Sequence, residues 1–328
     1  MKTALLLITD LNYGVPTLVL IESIKVNSPA LLERSDLLIY SDFPVFPESI
    51  VRKIDLGGAN TTTYPNFVFN MMSMLIYAIE ELKTKYDKII YLDSDCLVLQ
   101  DISHLIDEPF DGKGMMAVPD WTAGKVFEEA FEDPRALARG DFTRSYQKNH
   151  LSMVNTGMVV IDCKKVRKGM LGRYIRQVPG YKFPDQDFLS EEYLDNIKYL
   201  PYEYNARPEG CLRQCLTEEE RDRRYSALHY QPIVHFFGRC KPWREWSTCM
   251  ENFCAQVPYL EWIKYMNLVE KPVEDNFKDY VNTKVLNSIP KKYRDRPIQQ
   301  GLIMDDLLDL KFLHDLKEKN ICHYQAQE

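Results

Sequence analysis

The stretch Lys88–Leu99, KIIYLDSDCLVL, restricts the fold more than any other part of the chain. Ile89–Leu92 is a continuous apolar run bounded by charge, the pattern of a short strand buried on both faces. Asp93 and Asp95 follow at once, and Cys96–Leu99 then turns apolar again. In an extended chain residues two apart point to the same side, so the two carboxylates can aim at one point. Acids at the end of a buried strand are costly unless something pairs with them. A divalent cation is the economical partner, because hard oxygens suit hard cations. A solvated acidic turn accounts for the same residues equally well.

Strand and helix patterns alternate around this stretch. Ala4–Ile8 and Leu37–Tyr40 read as strands, with Thr17–Val26 helical between them, and Ile50–Leu56 reads as a third strand. Phe67–Leu82 is a long apolar helix feeding the Lys88–Leu92 strand, and Met115–Val118 is a further strand closed by Pro119-Asp120. Later come a strand at Thr156–Ile161, helices at Val166–Val178 and Asp185–Leu194, and strands at Lys198–Leu200 and Ile233–Phe237. Such alternation predicts an α/β fold with a doubly wound, parallel sheet. Ligands in such sheets bind beyond the carboxyl ends of the strands, where Asn12, Asp93 and Asp95 all fall. Trp121–Ser152 is charged, mixed and without period, and reads as a lid or acceptor-side wall or, equally well, as a surface excursion with helical pieces such as Phe127–Phe131. After Trp246 helices dominate (Leu260–Val269, Asp279–Leu286, Asp305–Lys319) with prolines between them, which divides the chain into residues 1–246 and a helical extension, 247–328.

A length of 328 residues with 45% apolar content suits one large domain with an appendage, or two domains. The net charge of −7 argues against a general nucleic-acid binder, which needs a basic face. The eight cysteines show no paired CxxC spacing and read as free thiols of a reducing compartment. The apolar run in MKTALLLITD is too short for a signal peptide or a membrane span, and no other stretch spans. A soluble, cytoplasmic protein is expected. The Asp305–Lys319 face could touch a membrane, a partner or a second copy, though such faces more often pack on their own domain.

Four further places carry chemistry. In His235-Phe236-Phe237-Gly238-Arg239-Cys240-Lys241-Pro242-Trp243 a histidine leaves an apolar strand, a glycine permits close backbone approach, and a lysine offers a compact cation to a phosphate. Asn155-Thr156-Gly157 puts an amide, donor and acceptor at once, before a strand. Pro184-Asp185-Gln186-Asp187 opens a helix, where an aspartate also serves as a cap. Tyr13, in Asp10-Leu11-Asn12-Tyr13, can stack on a base or fill a core edge.

Taken in order, the strings LLLITDLNY, YDKIIYLDSDCLVL, VNTGMVVIDCKKVR, FPDQDFLS, LPYEYNA and IVHFFGRCKPW resemble glycosyltransferase family 8, the glycogenin and bacterial lipooligosaccharide galactosyltransferase group. The resemblance covers roughly residues 1–246. It implies a GT-A fold, a nucleotide-diphosphate sugar donor (usually UDP-linked), Mn2+ with Mg2+ as the lesser choice, and transfer with retention. Carried over, Asp93, Asp95 and His235 are the metal ligands. Thr9, Asn12 and Tyr13 match the uridine-binding segment, and Ser94, between the acids, belongs with them to the donor-binding set. Gly238 and Lys241 hold the diphosphate. Asn155, Asp185 and Gln186 surround the donor sugar, with Gln186 near the anomeric carbon. One departure stands out: Phe69–Leu75 carries no Arg or Lys where family members have one near the donor phosphates and sugar, and Arg239 is a candidate substitute.

The expected activity is therefore metal-dependent, retaining sugar transfer from a sugar nucleotide to a glycan, lipid-linked or protein hydroxyl. Lys241 stabilises charge on the leaving diphosphate, which itself deprotonates the acceptor. A covalent intermediate on Asp185 or Asp187 is the other route. Two competing readings are a nucleotidyltransferase, for which Asp10–Gly14 is neither glycine-rich nor basic, and a non-catalytic sugar-nucleotide-binding scaffold on the same fold.

Overall fold

The computed structural model describes residues 1–9, 13–41, 52–55, 70–120, 153–181, 183–206, 231–237, 241–243 and 253–269. The Asp10–Asn12 and Gly238–Cys240 segments lie outside these residues, as do the 121–152 stretch and the expected helices at 279–286 and 305–319.

In chain order the strands are β1 (Thr3–Thr9), β2 (Asp36–Ser41), β3 (Arg52–Asp55), β4 (Lys88–Asp93), β5 (Cys96–Val98), β6 (Met115–Pro119), β7 (Val154–Asp162), β8 (Ile197–Tyr199) and β9 (Ile233–His235). The helices are α1 (Gly14–Asn27), α2 (Pro29–Glu33), α3 (Asn70–Leu82), α4 (Met170–Gln177), α5 (Pro184–Glu192) and α6 (Phe253–Leu268). Seven strands form one sheet in the order β3-β2-β1-β4-β7-β6-β8, and β5 pairs with β9 in a second, two-stranded sheet.

β1 is buried along its whole length, and its side chains divide between two cores. Ala4, Leu6 and Ile8 join Ile89, Tyr91 and residues of α3, α4 and α5 on one face. Leu5 and Leu7 join Ile90, Leu92 and residues of α1 and α2 on the other. Each such Leu or Ile contributes about 1.5–3 kcal/mol by leaving water. That two-sided burial is why β1 and β4 read as unbroken apolar runs rather than alternating ones.

Six strands of the main sheet run parallel, as expected, but β7 is antiparallel to both neighbours, β4 and β6. Reversal brings the start of β7, with Asn155, to the rim where β1, β4 and β6 end. A register shift between Ala117 and Val118 sits beside Asn155, which pairs with Val118. Bulges of this kind bend a strand end and re-aim the side chains beyond it.

Two expectations need correction. The acidic stretch is not one extended strand: β4 stops at Asp93, Ser94–Asp95 form a turn, and β5 begins at Cys96 in the other sheet. The Ser94 hydroxyl donates to the Ile8 carbonyl and pins that turn to β1. The helix expected from Val166 begins only at Met170, because Cys163–Lys165 first make a 3-10 turn capped by Asp162 and Gly169 then adopts a left-handed φ of 71°.

α6 packs on α1, where Asn27 Nδ2 donates to the Tyr265 hydroxyl at 2.6 Å, and Trp262 stacks on Trp243 at 5.2 Å. Among the described residues no helix is long and apolar enough to cross a membrane.

Candidate metal centre

Backbone pairing brings the acids and the distant histidine together. Cys96 pairs with His235 across the β5–β9 ladder, and Phe236 N donates to the Asp95 carbonyl at 2.9 Å. Ala206 braces β9 from its other side: Ala206 N donates to Ile233 O at 2.9 Å, and His235 N to Ala206 O at 2.8 Å. His235 Nε2 then lies 3.4 Å from Asp93 Oδ2 and 3.1 Å from Asp95 Oδ1. One ligand atom from each of the three falls within 4.8 Å of the others.

This donor set fits a divalent cation. Cation–ligand bonds of about 2.1 Å place adjacent ligands about 3 Å apart, close to the two separations from His235 Nε2. Two carboxylates and one imidazole leave further coordination positions open on such a cation.

The electrostatics are asymmetric. Burial raises the pKa of Asp93, and although His235 works against this, the neighbouring Asp95 adds to it. Burial opposes the charge on Asp95 too, but His235 and the Lys241 ammonium outweigh it and hold that carboxyl well below the usual range. Lys241 is buried, its ammonium donating to Asp95 Oδ2 and, at 2.5 Å, to the Phe236 carbonyl. It also lies over Tyr13 at 5.7 Å and Trp243 at 5.8 Å, rings that meet edge to face. The Tyr91 hydroxyl donates to Asp93 Oδ1.

A second group adjoins the acids. Asp185, at the start of α5, is buried and accepts the Thr156 hydroxyl at 2.8 Å. Burial raises its pKa, the Thr156 bond only partly countering this. Asn155 Nδ2 faces Gln186 Oε1 at 3.4 Å, and Gln186 Nε2 donates to Asp120 Oδ2 at 2.7 Å. Asp187 is turned to the start of its own helix, where it accepts the Phe183 N–H at 2.9 Å, a cap rather than a residue aimed at the acids. Thr9 is buried with its hydroxyl on the Thr17 hydroxyl, 2.9 Å away. Ser94 serves the turn through its hydroxyl. Asn12 and Gly238 lie outside the described residues.

Sequence reading passed over Tyr91, Asp120 and Asn205. Tyr91 had a signal, since it stands two residues before Asp93 on the same face of β4. Asp120 and Asn205 join only through long-range pairing.

The family model for Glycosyl transferase family 8 matches residues 5–247. Among curated relatives, lipopolysaccharide 1,2-glucosyltransferase of Escherichia coli K12 is 25% identical over 189 residues, 54% of this chain and 50% of that protein. Galactinol synthase 1 of Solanum lycopersicum is 30% identical over 181 residues, again 54% of this chain and 50% of the relative. The chain thus spans about half the length of these relatives. Two solved structures share the fold at 17% identity. The bifunctional glycosyltransferase WbbM has a TM-score of 0.64, over 84% of this chain and 51% of its own. The galactosyltransferase LgtC in complex with donor and acceptor sugar analogues has 0.58, over 83% and 98%. Both are GT-A glycosyltransferases, and the seven-stranded sheet described above is of that kind.

Proposed function

The chain belongs to glycosyltransferase family 8, and from that premise we propose that it transfers a sugar, with retention at the anomeric carbon, from a UDP-linked donor to a carbohydrate, lipid-linked or protein hydroxyl. The observation that carries this reading is the convergence of Asp93, Asp95 and His235 on one point beside a buried lysine. Asp93, Asp95 and His235 would hold the cation, Mn2+ by preference, and the cation supplies Lewis-acid stabilisation of the departing diphosphate. The Lys241 ammonium has three hydrogens; two are used on Asp95 and the Phe236 carbonyl, and the third is offered to a phosphate oxygen. Tyr13, edge-on to Trp243, supplies a flat face for the base, with Thr9 and Asn12 in the same segment, and Gly238 lets the backbone approach the phosphates.

On the sugar side, Asn155, Asp185 and Gln186 orient hydroxyls. The Asp185 carboxylate is already engaged by Thr156 and Asp187 caps its helix, which favours same-face transfer over a covalent intermediate on either acid. In that route the acceptor proton passes to the leaving phosphate, and Gln186 stands beside the anomeric carbon. We take residues 1–246 as the catalytic unit and 247–328 as a helical extension, and we place the protein in the cytoplasm, in keeping with the buried free thiols of Cys96 and Cys163.

The test is UDP release from a panel of UDP-sugars with and without Mn2+, in wild type and Asp93→Asn. The substitution keeps an oxygen for the Tyr91 hydroxyl but removes a charge. We expect Mn2+-dependent release with one or a few donors, reduced to background in the variant, with an unchanged circular dichroism spectrum. Binding without release would favour a non-catalytic sugar-nucleotide module, the reading to which the absence of a basic residue in Phe69–Leu75 lends weight.

A further inference from the structure

His235 is held from behind by a run of side-chain amides, and the direction of every hydrogen bond in that run is set by one backbone group. The Gly157 N–H lies 3.0 Å from the outer end of the Asn155 side chain. A peptide N–H only donates, so the atom it meets is Oδ1, and the Asn155 NH2 therefore faces Gln186 Oε1. The same Oδ1 accepts Asn205 Nδ2 at 2.8 Å, and that NH2 also meets the Asn155 carbonyl at 3.3 Å. With its NH2 placed between two acceptors, Asn205 presents its oxygen to His235, 2.9 Å from Nδ1. An oxygen in that position requires a hydrogen on Nδ1. The far nitrogen, Nε2, is then the one aimed at Asp93 and Asp95.

Asn205 is itself buried, and its place is set by the pairing of the next residue, Ala206, with β9. Gly157 is the second constraint. A Cβ there would fall on Nδ1 and Cε1 of the His235 ring, so the imidazole reaches its position only because that residue has no side chain.

We propose that Asn205 is a positioning residue that holds a hydrogen on His235 Nδ1, so that Nε2 is the nitrogen turned to the acids and to a cation between them, and that joins the ring through Asn155 to Gln186 and Asp120. Its effect on cation binding rests on the reading of Asp93, Asp95 and His235 as a metal site; the placement of the hydrogen does not. Outer partners of this sort set ring orientation and tautomer, and their loss typically weakens metal binding about 10–100-fold.

The experiment uses full-length, metal-free protein with 15N-labelled histidine, the His235 ring signals being those missing in His235→Ala. Wild type should show a hydrogen on Nδ1. In Asn205→Ala the Nδ1 position loses its acceptor, and its ring signals should move away from those of a hydrogen-bonded Nδ1–H. In Asn205→Asp, which still offers an acceptor, Nδ1 should keep its hydrogen. Direct Mn2+ titration without donor, read by electron paramagnetic resonance, should show about 10–100-fold weaker binding in Asn205→Ala and substantial recovery in Asn205→Asp. A bare Nδ1 in wild type overturns the proposal outright, whatever the variants do. So does an Asn205→Ala protein that keeps both the wild-type ring signals and the wild-type Mn2+ affinity. Wild type that fails to bind Mn2+ overturns the metal reading instead, while the ring spectrum of the metal-free protein still decides the role of Asn205.

Discussion

The two ends of β4 present the same problem, charge brought into a core, and solve it in opposite ways. At its start, Lys88 is 1% exposed, and its ammonium donates to the carbonyls of Leu105, Ile106 and Glu108 at 2.9, 2.7 and 2.9 Å. Three hydrogens meet three backbone oxygens, and the 3-10 turn Ser103–Ile106 gains a cap for its terminal carbonyls. At its end, about 16 Å away by strand rise, Asp93 and Asp95 meet in a place where one lysine and one imidazole share them. α5 repeats the contrast. Its last residue, Glu192, is clasped by Arg167 and Arg173, whereas its first turn carries Asp185 beside Gln186. Charge matched group for group stabilises the fold; charge brought together in excess of its partners marks the site.

Breaking a matched charge should cost stability and leave the site alone. The largest effect is expected for Lys88→Met, which strands three carbonyls and should lower unfolding stability by about 3 kcal/mol or more. Chemical denaturation measures this, and the Mn2+ affinity of the remaining folded protein should match wild type. If that affinity fell as well, the two ends of β4 would not be independent.

Breaking the site should do the reverse. Gly157→Ala forces the imidazole away from its place against β7 and is expected to weaken Mn2+ binding about 10–100-fold, as for loss of an outer partner. Stability should change less than in Lys88→Met; calorimetric titration and a thermal melt separate the two.

The smallest effect belongs to Glu192→Gln, about 1 kcal/mol, because the Arg167 partner is 62% exposed. Burial acts to raise the pKa of Glu192, but the hydrogen bonds from Arg167 and Arg173 outweigh it and hold the carboxyl below its ordinary value. A carboxylate with a depressed folded pKa stabilises fully above its unfolded value and loses that contribution as pH falls through the folded one. The gap between wild type and variant should therefore be complete at neutral pH and close progressively below about pH 4.3. A gap that persisted at pH 2 would show that the pair acts through packing rather than charge.

Much of this arrangement is written locally. β1 and β4 announce themselves as apolar runs because both faces are covered, and Asp93, Asp95 and His235 stand out by residue type. What lies beyond local reading is direction and partnership. Nothing in Val154–Asp162 says that this strand runs against its neighbours, although that reversal puts Asn155 at the site. Asn205 is one polar residue in LPYEYNA until Ala206 pairs with Val234 and sets it behind the imidazole. Ser94 looks like part of the acid motif, yet its hydroxyl serves the turn that ends β4.

The reversed strand has a last consequence. Because β6 arrives at the rim and β7 departs from it, the chain leaves at Asp120 and returns at Met153, with Asp120 N donating to Met153 O at 2.9 Å. Both anchors of the intervening segment are thus neighbours at the mouth of the site. A lineage could lengthen, trim or exchange that segment without re-registering a single strand.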